Sequence, residues 1–136
     1  MLRLTRTDER LRMVCSTDES VHMEEEDRDP VRWMDEDSAD VNGAALVAIV
    51  RPLSSREFLR LQARASGGKD PEVALVISAA EVGTVAFIGP DVDISTPSAV
   101  LGLLDQIGPA ELAALGARVI DQTILDPDER PTSAAS

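Results

Sequence analysis

The residues of this chain equipped for chemistry are one histidine, one cysteine and an excess of carboxylates. Nucleophilic catalysis needs a nucleophile, a base and a group that orients the base. His22 stands beside Glu24, Glu25, Glu26 and Asp27, where an imidazole reads as a solvated side chain rather than a general base. Cys15 shares an alternating apolar phase with Leu11 and Met13, so it reads as a small buried hydrophobe. No GxSxG or GxGxxG occurs, and Gly67-Gly68-Lys69 lacks the spacing and the following Ser or Thr of a P-loop. Zinc needs Cys and His in numbers absent here. The calcium-loop template fails from Asp91, where Thr96 and Gly102 take the glycine and glutamate places, and from Asp35, where Ala39 replaces a ligand. Paired carboxylates act as acid and base only in a walled pocket that separates their pKa values, and the acids here crowd a polar stretch. The expectation is a protein that is not an enzyme, with no catalytic, cofactor-binding or metal-binding residue and no cofactor.

Charge narrows the partners. The 136 residues carry 13 basic and 25 acidic side chains, a net charge of -12. Nucleic acid and anionic membranes both demand a cationic footprint, so direct binding to either is not expected. A single cysteine excludes an intrachain disulfide. No apolar run reaches the ~18 residues of a membrane span, and no signal-peptide core stands at the N-terminus. A cytoplasmic location is expected.

The elements that must position any site follow from periodicity. Leu2 and Leu4, then Leu11, Met13 and Cys15, alternate with polar or smaller residues around Thr7-Asp8-Glu9, which predicts a hairpin within 1–15 with strands near 2–5 and 11–15. Residues 16–40 hold 11 acids against Arg28 and Arg32. Such density repels and buries little, so 16–43 is expected to be an acidic loop or arm outside the core, with Trp33 as its anchor. On that reading, deleting 17–30 leaves stability nearly intact. The run AALVAIV at 44–50 predicts a buried strand, closed by Pro52.

Residues 44–125 then form a mainly helical domain, with helices expected near 55–66, 71–82, 97–107 and 109–123. Ser54 and Glu57 have the spacing of a capping box, with Leu53 and Phe58 placed as a hydrophobic staple. Phe58 is expected to matter more than Leu53. Asp70-Pro71-Glu72 opens the second helix, Gly83 ends it, Thr84 to Ile88 reads as a short strand and 89–96 as a loop. Thr96-Pro97 opens the third helix. Leu112, Leu115, Val119 and Ile120 give the fourth its apolar stripe, interrupted by Gly116, and a continuous helix is expected there. Residues 126–136 read as a polar tail. The fold class is α+β: a small N-terminal antiparallel sheet followed by a four-helix, mainly helical half.

The order of these features resembles the tail assembly chaperones of long-tailed bacteriophages. The segment Arg51-Pro52-Leu53-Ser54-Ser55-Arg56-Glu57-Phe58 is similar to the one that opens their first main helix. Leu103-Leu104-Asp105-Gln106-Ile107 through Leu112 and Leu115 resembles their C-terminal part, and Ile124-Leu125-Asp126-Pro127-Asp128-Glu129 their close. The resemblance covers residues 50–65 and 100–130. At Val82-Gly83-Thr84 the chain departs from it, lacking the aromatic usual after the second helix. The resemblance implies a cytoplasmic protein, in the host cell if phage-encoded, that binds tape-measure or tail tube subunits before the tail polymerises. Two other readings stay open: a small neck, adaptor or tail component of the virion, and an acidic DNA mimic that inhibits a DNA-binding protein. The partner is expected to be a protein, with self-association also open. Its site is expected on the helical half, at Val100, Leu104, Leu112, Val119 and Ile120, since surplus apolar surface commonly marks an interface.

Overall fold

The computed structural model describes residues 8–124. Chain order is β1 (Leu11–Cys15), β2 (Trp33–Asp35), β3 (Val47–Val50), α1 (Ser55–Ala65), α2 (Pro71–Gly83), β4 (Thr84–Gly89), β5 (Val92–Ile94), α3 (Pro97–Leu104) and α4 (Pro109–Ile124). The strands form one antiparallel sheet in the order β2-β1-β3-β4-β5. The expected α+β class is the observed one, with β4 and β5 entering between α2 and α3. The expected strand at 2–5 and the tail at 126–136 lie outside the described residues.

Alternation along the strands gives the sheet two apolar faces. Met13 stands opposite Ala48 and Ala48 opposite Phe87, while Cys15 stands opposite Trp33. These residues join Leu53, Leu61, Ala79, Val100, Leu104, Leu115 and Val119 in the main core under the helices. The residues between them, Val14 and Val47, face the other way and pack with Val21 and Ala45.

That second cluster corrects the expectation for 16–43. Val21 is 1% exposed, and the stretch also contributes β2, so it covers part of the back of the sheet. The charges do not prevent this, because Glu24, Glu25, Glu26 and Asp27 stay in water. Polar bonds supply the order that apolar burial alone would not. The Arg28 guanidinium donates to three carbonyls, those of Ser16 (3.1 Å), Asp18 (2.9 Å) and Val21 (2.8 Å). Buried Ser16 donates its hydroxyl to the Arg28 carbonyl and accepts from the Arg32 amide. The Asp18 carboxylate accepts from the amides of Ser20 and Leu46, both at 2.9 Å. That last bond holds the start of the apolar run 44–50 as loop, so β3 begins only at Val47.

Helix boundaries follow local chemistry closely. The Ser54 hydroxyl accepts from the Glu57 amide at 3.1 Å, and the Glu57 carboxylate accepts from the Ser54 amide at 2.8 Å, completing the capping box. Leu53 is fully buried, and Phe58 is partly buried and packed against the same core. Asp70 caps α2 through the Val73 amide, with Pro71 at the first helical position. The third helix ends at Leu104, three residues short of expectation, because the amides of both Gln106 and Ile107 turn back to the Leu103 carbonyl. The segment 89–96, expected as a loop, carries β5, whose pairing with β4 forms a hairpin.

α4 is continuous through Gly116, and the neighbour that needs the glycine is α2. A methyl group at 116 would overlap the backbone carbonyl of Val76. Gly83 plays the reciprocal part at the end of α2, where a methyl would meet the Val119 side chain.

Two outcomes test this packing. Gly116→Ala is expected to destabilise by at least about 2 kcal/mol in urea unfolding, although alanine gains about 1 kcal/mol in helix propensity; a stabilised variant would disprove the close approach. Arg28→Ala is expected to cost about 2 kcal/mol by stranding its three carbonyl partners, and an unchanged midpoint would show that the arm is not held as described.

Candidate protein-docking face

The five residues expected to meet a partner lie inward. Val100 and Leu104 are each 2% exposed and Val119 is fully buried. Leu112 and Ile120 are partly buried and pack against the same core. The correction has a simple cause. The sheet among the described residues gains β2 and β5 beside the expected strands near 11–15, 44–50 and 84–88, and its inner face takes up the apolar stripes of α3 and α4.

The chemistry-bearing residues also fall apart in space. The Cys15 thiol is buried, with its sulfur 3.2 Å from the Thr17 hydroxyl, and no base is bonded to it among the described residues. Nearby Asp18 has both carboxylate oxygens committed to backbone amides. His22 is exposed. Gly67 and Gly68 form the turn after α1, with the Gly68 amide bonded to the Ala65 carbonyl. Among the described residues, no group of three or more His, Cys, Asp or Glu side chains is placed to hold a metal ion. Among them too, no helix is long and apolar enough to cross a membrane.

What the surface does offer is a trough of about 540 Å³ between α2 and α4. Val73 and Val76 form its α2 wall, and Ala113 and Ala117 belong to its α4 wall. Val73 is 48% exposed, and Ile77, one helical turn further along α2, is 37% exposed. Asp29, Asp70 and Glu72 stand at the trough, and no basic side chain lines it. Its depth follows from the sequence of α4, because alanines leave room for an incoming backbone and Gly116 draws the two helices together. Sequence reasoning missed this face, although Val73 and Ile77 at i and i+4 were legible as an apolar pair.

A second exposed surface runs along α1. Its buried residues Leu61 and Ala65 turn inward, which leaves Arg56, Arg60 and Arg64 in water at successive i, i+4 positions. Beside them stand Ala63, exposed, and Leu59, 61% exposed. The helix is anchored by a two-pronged ion pair in which Arg51 donates to both Glu57 oxygens, at 2.9 and 2.8 Å. The Arg51 hydrogen bonds, helped by the Ser54 amide and opposed by partial burial, pull the Glu57 carboxyl from 4.5 down to about 2. The same bonds raise Arg51 above its ordinary value.

A lowered folded-state pKa gives stability that is present above the unfolded value and lost as pH falls through the folded one. Replacing Glu57 by Gln is therefore expected to cost about 1–2 kcal/mol near neutrality, discounted because the side chain remains a third exposed. The difference from the parent chain is expected to vanish between about pH 4.5 and about pH 2 in acid-unfolding curves. A gap that persists at pH 2 would show that the ion pair is not its source.

No protein-family model, curated protein or solved structure matches the chain.

Proposed function

We propose that this protein is a non-enzymatic assembly chaperone of the phage-tail kind, which covers an apolar helical segment of a tape-measure or tail tube subunit until the tail polymerises. The observation that carries the reading is the α2/α4 trough, whose walls hold exposed Val73 and small alanines beside exposed Ile77. A helix presenting apolar residues at i, i+3, i+4 and i+7 is the complementary occupant, and helix-in-groove docking is a common way to hold one. The acidic arm keeps the loaded complex soluble and tunes its rate of association more than its affinity. The partner is a protein; the negative charge supports neither direct nucleic-acid binding nor attachment to an anionic membrane.

One observation favours a second reading. An acidic nucleic-acid mimic needs carboxylates on a rigid surface, and residues 16–40 are folded against the sheet, with Glu25, Glu26 and Asp27 on one 3-10 turn.

Co-expression with a tape-measure polypeptide, followed by pull-down, separates the two. Ala113→Arg is expected to lower client capture at least tenfold with an unchanged circular dichroism spectrum, while Glu25→Gln/Glu26→Gln/Asp27→Gln retains capture. The reverse result would move the binding surface to the arm and favour the mimic. Mass spectrometry of finished particles is expected to lack this chain; its stoichiometric presence would make it a structural component instead.

A further inference from the structure

The arginine stripe of α1 is a dense positive feature on a strongly acidic molecule, and it has no partner among the described residues. Arg56, Arg60 and Arg64 make no ion pair or hydrogen bond to any described residue, in contrast to Arg12, Arg28 and Arg51. The stripe differs from an ordinary solvated face in a second respect. Leu59 and Ala63 run alongside it at i and i+4, so α1 presents an apolar ridge edged by three guanidinium groups. The trough between α2 and α4 has the opposite character, an apolar floor with Asp29, Asp70 and Glu72 beside it.

We infer that the trough receives α1 of a second copy of this chain, so that the protein self-associates head to tail until a client helix displaces the neighbour. The inference rests on the proposed reading of the trough as a binding face. Leu59 and Ala63 seat against Val73, Ala113 and Ala117, and the arginines reach the carboxylates. The dimensions agree: Arg56 to Arg64 spans about 12 Å of helix, and Ala110 to Ala117 about 10 Å. The exposed acids Glu24 to Asp27 of the arm offer charge to the same arginines, but they do not line the trough. Because ridge and trough lie on different surfaces, each contact leaves one of each free. Association of this kind continues until a ring closes or a filament grows. The net charge opposes it at long range, but at physiological ionic strength that repulsion is screened beyond about 8 Å while close pairs survive.

Sedimentation equilibrium on the intact chain tests the inference. The average mass is expected to rise with concentration toward the millimolar range. Arg56→Glu/Arg60→Glu, which keeps the trough and loses the ridge, and Ala113→Arg, which does the opposite, are each expected to stay monomeric. Their equimolar mixture is expected to stop at a heterodimer, since it holds one working ridge and one working trough. A monomeric parent chain, a mixture that stays monomeric while the parent associates, or association abolished by Glu25→Gln/Glu26→Gln/Asp27→Gln rather than by Ala113→Arg would each overturn it. Client capture measured on the same variants keeps the two proposals apart: a parent that is monomeric yet loses its client on Ala113→Arg sinks self-association alone. Undiminished capture by Ala113→Arg sinks the trough as the client site.

Discussion

The backbone of α4 meets the backbone of α2 at Gly116, against the carbonyl of Val76, and much of the helical layer depends on that contact. A glycine in mid-helix costs about 1 kcal/mol in propensity, and here it allows an approach that any side chain would prevent. With the two helices drawn together, Leu115 and Val119 reach the sheet and are fully buried. The alanines on the outer side of α4 are left around a shallow trough rather than inside the core. One steric constraint therefore sets both the packing of the interior and the shape of the outer face.

The two ends of that layer are tied to the rest of the chain by polar bonds that cross long sequence distances. Trp33 donates its indole N–H to the Glu111 carbonyl at 2.9 Å, joining β2 to the first turn of α4. At the other end, the Leu53 amide donates to the Thr123 hydroxyl at 2.9 Å, and the Arg51 amide to the Gly83 carbonyl at 2.8 Å. The entry to α1, the end of α2 and the end of α4 are thereby held in one place. The Arg51–Glu57 pair adds orientation to α1 at this junction, and with it the direction in which the α1 arginines point.

The acidic segment shows how far charge density can mislead. Eleven carboxylates in 25 residues argue for a solvated loop, yet the segment provides an edge strand and a buried valine. Mean charge says nothing about where single side chains go. The carboxylates of Glu24 to Asp27 project into water, and the Arg28 fork collects carbonyls that would otherwise be stranded. That guanidinium gathers the carbonyls of Ser16, Asp18 and Val21, beside one local pair with Glu25.

Caps, glycines and periodicity determined the helices by themselves. Ser54 with Glu57 and Asp70 with Pro71 marked starts to within a residue, because a helix terminus must satisfy its free amides with whatever side chains stand next in the chain. Thr96-Pro97 marked the third through the fixed φ of proline, since Thr96 makes no side-chain cap bond. Alternation likewise identified β1, and the apolar run at 44–50 identified β3. The short strands β2 and β5 were not legible, since three residues carry too little pattern and exist only through their pairing with β1 and β4. The tertiary structure alone decided which apolar residues stay outside. Val119 and Val73 are alike in type and both helical, yet one is fully buried and the other half exposed. The difference is set by where α2 and α4 cross and how much sheet lies beneath them, which are distances between parts of the chain that no local pattern encodes.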